Sequence, residues 1–342
     1  MEQNLLKEGK LLNEDGTLTE AGYAFSRVKH YNPEVIKKKN RLQLKEWNYY
    51  AFLNDENGIA ITISYLTYSA LLSITYFDFK LNKYLTKTYT KLFPKKKKFD
   101  LPKNDGNKIL IKEKKYVFDV TINKGYANIY FNVQDFADGN SISANLKVKE
   151  TNDKSIVTTI PFPKKGQFYY NQKVNLLVAE GNITIGSKTV NLKESYGVLD
   201  WGRGVWPYRT TWYWSSCNVK NNNGDLLGFN LGYGLGDTSK GSENMVFFND
   251  EAYKLDDVEF IFKTNSKGVI DYMGDIEVVS KDRAIDLVFT PLFNRHDHIN
   301  LAIISSNQNQ VFGKFNGTIK ANGKTFEFKD AIGFLEKVIN RY

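Results

Sequence analysis

The chain has 342 residues, 42% hydrophobic and 14% aromatic, with a formal net charge of +9. That is enough for one large domain or two ordinary ones with real cores, and it excludes a disordered chain. A single cysteine, Cys217, excludes an intrachain disulfide, and no apolar run reaches the ~18 residues of a membrane span.

The start, MEQNLLKEGKLLNEDG, lacks an apolar signal core, so the expected location is cytoplasmic. Residues 1–40 read as an arm punctuated by Asp15-Gly16, Ala21-Gly22 and Asn32-Pro33. From residue 41 onward, period-two alternation takes over. Ile59, Ile61, Ile63 and Tyr65 alternate with Ala60, Thr62 and Ser64; Tyr116, Phe118, Val120 and Ile122 alternate with Val117, Asp119 and Thr121. Val311, Gly313, Phe315, Gly317 and Ile319 form a third such series. Turn signals such as Glu56-Asn57-Gly58, Asn123-Lys124-Gly125 and Asn322-Gly323 separate the runs. Many short strands and no sustained 3.6 period predict an all-β, antiparallel fold, not βαβ units. The length predicts two β-domains, at 41–195 and 196–342.

The lysines cluster early, at Lys37–Lys39 and Lys95–Lys98. The second run follows Pro94 and reads as a solvated loop. It holds no arginine or aromatic residue, so no nucleic-acid partner is expected.

Residues 196–216, YGVLDWGRGVWPYRTTWYWSS, hold four of the five tryptophans. In an extended strand Trp212, Trp214 and Ser216 share one face. Those two rings serve either as a structural plug or as an apolar pocket wall. In Asp200-Trp201-Gly202-Arg203-Gly204, two glycines bracket an arginine, a pattern suited to a crossing between domains or the border of a cleft. Asp200 and Arg203 either clamp each other, or Asp200 acts as a buried general acid. A faint echo links Lys45–Tyr50 to Thr211–Ser216, as after an internal duplication.

Gly232-x-Gly234-x-Gly236 lacks dinucleotide or phosphate-loop spacing. The pair His296-x-His298 has zinc-like spacing, yet the phase of Ile299, Leu301 and Ile303 turns both histidines outward and Asp297 inward. No metal is therefore expected, and Asp297 becomes a second candidate acid. No Gly-x-Ser-x-Gly elbow is present, and Cys217 reads as a packed strand residue.

The segments RLQLKEWNYY, DWGRGVWPYRTTWYW, ENMVFFNDEAYKL and FGKFNG with GFLEKVINR together resemble a bacterial and fungal domain-of-unknown-function family. That family is similar to tandem lipocalin-like barrels, including hydroxyneurosporene synthase and, more distantly, tocopherol cyclase and fungal pericyclases. The resemblance implies two lipocalin-like barrels and an apolar, lipid- or isoprenoid-like ligand in a barrel or inter-barrel pocket. It also implies a barrel-closing Trp–Arg stack, for which Trp212 or Trp214 with Arg341 is the candidate.

Three functions follow as expectations. The first is binding of an apolar small molecule by Trp201, Arg203, Trp206, Tyr208, Trp212 and Trp214. The second is cofactor-free hydratase or cyclase chemistry on an alkene with Asp200 or Asp297 as acid. The third is a structural or partner-binding module using the basic loops.

Overall fold

Alternation becomes strand almost throughout the computed structural model, which describes residues 3–99, 101–103, 108–123, 125–301 and 304–341. Lys124, Ala302, Ile303 and Tyr342 lie outside the described residues.

The arm contributes β1 (Gly9–Lys10), β2 (Gly22–Ala24) and β3 (Lys29–His30). A first sheet follows: β4 (Leu44–Leu53), β5 (Asn57–Tyr65), β6 (Ser69–Asp78), β7 (Lys83–Leu92), β8 (Lys108–Glu113), β9 (Tyr116–Asn123), β10 (Tyr126–Ala137), β11 (Asn140–Glu150), β12 (Ile156–Pro161), β13 (Phe168–Ile185) and β14 (Lys188–Val205). The second comprises β15 (Arg209–Lys220), β16 (Leu226–Tyr233), β17 (Met245–Phe248), β18 (Glu251–Lys254), β19 (Glu259–Ile261), β20 (Ile276–Val279), β21 (Ile285–Leu301), β22 (Ile304–Ala321) and β23 (Lys324–Arg341).

One plan is used twice. In the first sheet the order is β7-β6-β5-β4-β14-β13-β11-β10-β9-β8; in the second it is β18-β17-β16-β15-β23-β22-β21-β20-β19. Each is a curled antiparallel half-barrel whose first strand pairs with its last and whose ladder opens after the fourth strand. These are two tandem lipocalin-like barrels. The echoing segments occupy equivalent places, Trp47 on β4 and Trp212 and Trp214 on β15.

The chain changes sheet later than the expected 195/196 boundary. Tyr196–Val205 pairs residue for residue with Leu53–Leu44 of β4, so it stays in the first sheet. The crossing is Trp206–Tyr208. Aromatic composition alone could not reveal that the ladder held the chain this long. The arm is also more than an appendage: β2 pairs β12, and the Asn4 N–H reaches the Lys240 carbonyl across to the second unit.

Alternation decides where each side chain goes. On β4, Tyr50 and Phe52 enter the core of the first barrel. Tyr49, Ala51 and Leu53 point out and meet Trp214, Phe312 and Phe334 of the second unit. On β15, Cys217 turns into the second core, where burial pushes its thiol up and its Sγ lies 3.4 Å from the Ile332 carbonyl. The strands at the junction are therefore buried on both faces, and polar groups there are cut off from water.

Candidate active site between the two sheets

β13 and β14 pair so that Lys173 lies opposite Asp200. The Lys173 Nζ sits 2.9 Å from Asp200 Oδ1, an ion pair with both side chains almost wholly buried. The Trp47 indole N–H donates to Asp200 Oδ2 at 3.0 Å. The same ammonium stands 4.0 Å above the Trp214 ring and 3.8 Å from Glu243 Oε2. Asn171 donates to that Glu243 oxygen at 3.0 Å. Burial is the main cause that raises the Glu243 carboxyl, opposed by Lys173 and reinforced by Asp200.

A third carboxyl, Glu336 of β23, completes the group. The Trp212 indole N–H donates to Glu336 Oε1 at 2.8 Å, and the Gln310 amide donates to Oε2 at 3.2 Å. Gln310 also donates to the Tyr49 hydroxyl and accepts from Arg295 Nε. Burial pushes Glu336 up to about 7, opposed by the Trp212 hydrogen bond and by the Lys173 and Arg295 charges. Desolvation wins because the surroundings are rings: Trp206 packs edge-on to Trp212 at 5.5 Å, to Trp47 at 5.4 Å and to Tyr169 at 5.2 Å.

A cleft of about 670 Å³ opens onto this aromatic layer. Phe162, Pro207, Thr211 and Leu235 are among its walls. Phe162 lies 5.8 Å from Trp206, and Leu235 packs in the same cluster. Phe162 of the cleft wall thus packs on Trp206, Trp206 on Trp212, and Trp212 is hydrogen-bonded to Glu336, so two tryptophans stand between the cleft and the carboxyl.

The geometry divides the expected site residues. Asp200, Trp206, Trp212 and Trp214 come together at the junction. Trp201 and Arg203 face the opposite side of β14, where the Arg203 guanidinium stacks 4.2 Å over Trp201. Arg203 is fully buried and donates to the Trp47, Gly202 and Pro102 carbonyls and to Asn48. The expected Asp200–Arg203 clamp does not form, because strand neighbours three apart point to opposite faces. Nor do Trp212 and Trp214 stand opposite Arg341: they pair with Val338 and Glu336, and the cation over Trp214 comes from the other sheet. The Trp–Arg stack belongs to the first barrel instead. Tyr208 is exposed.

Asp297 is exposed, and so is Ile299 at 46%. The expected inward phase of Asp297 and Ile299 does not hold, because His296–Asn300 of the β21–β22 hairpin are exposed on both faces. His296 and His298 do share the outward side, with rings 6.3 Å apart. Among the described residues no cluster of three metal-ligating groups occurs. Asp297→Asn is accordingly expected to change stability by less than ~0.5 kcal/mol, checked by urea denaturation.

Gly202 shows why glycine recurs in this block. A Cβ there would fall 2.1 Å from Trp47 Cζ2. Gly202→Ala is expected to push the indole off Asp200 and destabilise by about 1–3 kcal/mol. The readout is a lowered urea midpoint with a red-shifted tryptophan emission.

Lys173, Glu243, Glu336 and Tyr169 were not singled out from sequence. The available signal was a charge on an otherwise apolar strand face, as with Phe334, Glu336 and Val338. Part of the Lys95–Lys98 run is also less solvated than expected: Lys96 pairs with the buried Glu46 at 3.0 Å.

Fold and first-to-last closure define a tandem lipocalin-like protein, and the chain belongs to the family described as domain of unknown function DUF2804, which matches residues 2–342. No curated protein matches it. An AttH-like protein of Nitrosomonas europaea has a similar structure, with a TM-score of 0.53 and 11% identity, covering 86% of this chain and 91% of that one. Kievitone hydratase of Nectria haematococca gives a TM-score of 0.49 and 10% identity, over 100% of this chain and 97% of that one. At these identities the likeness speaks to fold only. No described helix is long and apolar enough to cross a membrane.

Proposed function

We propose that the protein binds an apolar small molecule in the cleft at the sheet junction and that the ligand, by displacing Trp206 and Trp212, comes within reach of Glu336, which transfers a proton to it without a cofactor. The observation that carries this reading is Glu336 itself: a carboxyl held near neutrality by burial, hydrogen-bonded to Trp212, and linked through Trp212 and Trp206 to Phe162 of the cleft wall. Three carboxyls around one lysine are a costly way to join two apolar surfaces, which argues against a purely structural role. The barrel interiors hold their own side chains, such as Phe118 and Phe131 in the first and Phe289 and Phe315 in the second. That favours the junction over a barrel lumen as the ligand's place.

The chemistry is balanced. The protonated Glu336 gives its proton to an electron-rich C=C bond. Tryptophan faces stabilise the developing cation by about 0.5–2 kcal/mol each. Water or a hydroxyl of the substrate forms the new C–O bond and loses a proton, and the Glu336 carboxylate takes one back. Asp200, ion-paired to Lys173, supplies fixed negative potential behind the rings.

The test uses the purified protein and a solvent extract of apolar metabolites in D₂O. Mass spectrometry should show deuterium on carbon in at least one component, absent with Glu336→Gln. Retention of a bound apolar compound with no deuterium uptake would reduce the reading to binding alone; an empty protein with no uptake would end it.

A further inference from the structure

We propose that one end of the first barrel, next to the cleft, is a docking face for an anionic membrane surface. Two acid-free basic stretches meet there. Val35 to Lys45 holds the exposed Lys37, Lys38, Lys39 and Arg41, and Leu92 to Phe99 holds Lys95–Lys98, neither with an acidic residue; Lys96 and Lys98 are ion-paired with Glu46 and Glu113, while Lys95 is exposed. The fold brings the ends of these stretches together at the Leu66–Tyr68 turn. Thr67 Oγ1 donates to the Arg41 carbonyl at 2.9 Å from one side, and the Phe93 N–H donates to the Tyr68 carbonyl at 2.8 Å from the other.

Three large apolar side chains stand out of this basic field. Leu42 is 67% exposed, Leu92 68% and Phe93 82%. Phe93 has φ of 48°, a left-handed conformation that a bulky residue rarely adopts and that here holds its ring in water. Lys37, Lys38, Lys39 and Lys95 are exposed and make no ion pair among the described residues. Apolar protrusions beside uncommitted lysines match the interface of a bilayer with acidic headgroups, where the apolar side chains enter the acyl boundary and the ammonium groups meet the charge. A nucleic-acid surface would call for several aromatic stacking platforms, and of these three protruding side chains only Phe93 is aromatic.

The position is apt. Gln43, next to Leu42, accepts the Trp206 N–H at 3.0 Å through its carbonyl, and Pro207 is already a wall of the cleft. A bilayer against Leu42 and Phe93 would lie beside the cleft mouth, from which an apolar molecule could pass without crossing water. The docking face stands on exposure and charge and is read without turnover, so its failure and that of the acid chemistry are separable.

The experiment is sedimentation of the full chain with phosphatidylcholine vesicles, with and without about one-third phosphatidylserine. Binding is expected only with phosphatidylserine, and it should fall away on the order of 0.5 M salt. Lys37→Gln/Lys38→Gln/Lys39→Gln should weaken it about fivefold per charge. Leu92→Ser/Phe93→Ser should weaken it at least ~tenfold. Lys281→Gln/Lys320→Gln, on the second unit, should leave it unchanged. All these positions are exposed, and circular dichroism verifies folding. Absence of binding, equal binding to neutral vesicles, unchanged binding by the first two variants, or displacement of the vesicles by a mixed-sequence oligonucleotide would each overturn the proposal.

Discussion

Glu336→Gln is expected to lower proton transfer by ~10²–10⁴-fold while the protein stays folded, because the amide keeps the shape but has no transferable proton. The pH dependence should change with it. Glu336 is held up at about 7, above its ordinary 4.5. Its acid form is therefore present below neutrality and lost as pH rises through about 7, and activity should fall over that range. Stability follows the same sign. A carboxyl whose folded value is raised binds its proton more tightly in the folded state, so stability declines from about 4.5 to about 7 as pH rises. Glu336→Gln removes that ionisation. The variant should be less sensitive to pH across this window and more resistant to urea than the parent above it. A variant with unchanged deuterium uptake would remove Glu336 as the acid.

Lys173→Met should cost about 3–5 kcal/mol of stability. The substitution leaves Asp200 and Glu243 buried without their shared cation and removes the charge over Trp214. Urea denaturation measures the loss. Adding Asp200→Asn should recover part of it, since the second change removes the charge that the first left unpaired. If the double variant is no more stable than the single one, Lys173 stabilises by packing on Trp214 rather than by holding the carboxylates.

Much of the architecture was legible in the pattern of residues, and the reasons differ by element. Ile59–Tyr65 and Val311–Ile319 read as strands because each has one face that must leave water. The tandem plan was visible in two equivalent aromatic strands, and Asp200, Trp206, Trp212 and Trp214 of the same segment lie at the junction. The reading failed where a side chain's surroundings come from another part of the chain. Asp297 was expected to point inward, but the stretch of β21 that carries it is exposed on both faces. Asp200 meets Lys173 and Trp47, not Arg203, because adjacent ladders decide the partner.

Local chemistry was sufficient for strand, turn and the all-β class, since alternation and φ preference act over a few residues. It also pointed to the tryptophan-rich segment, which lies at the junction of the two sheets. Only the tertiary structure could decide which face of that segment carries the charge cluster. Glu336 becomes an acid near neutrality through desolvation by Trp206, Trp212 and their neighbours, drawn from strands on two sheets. Burial of this kind is a property of what packs against a residue, and the residues that pack against Glu336 are distant from it in the chain.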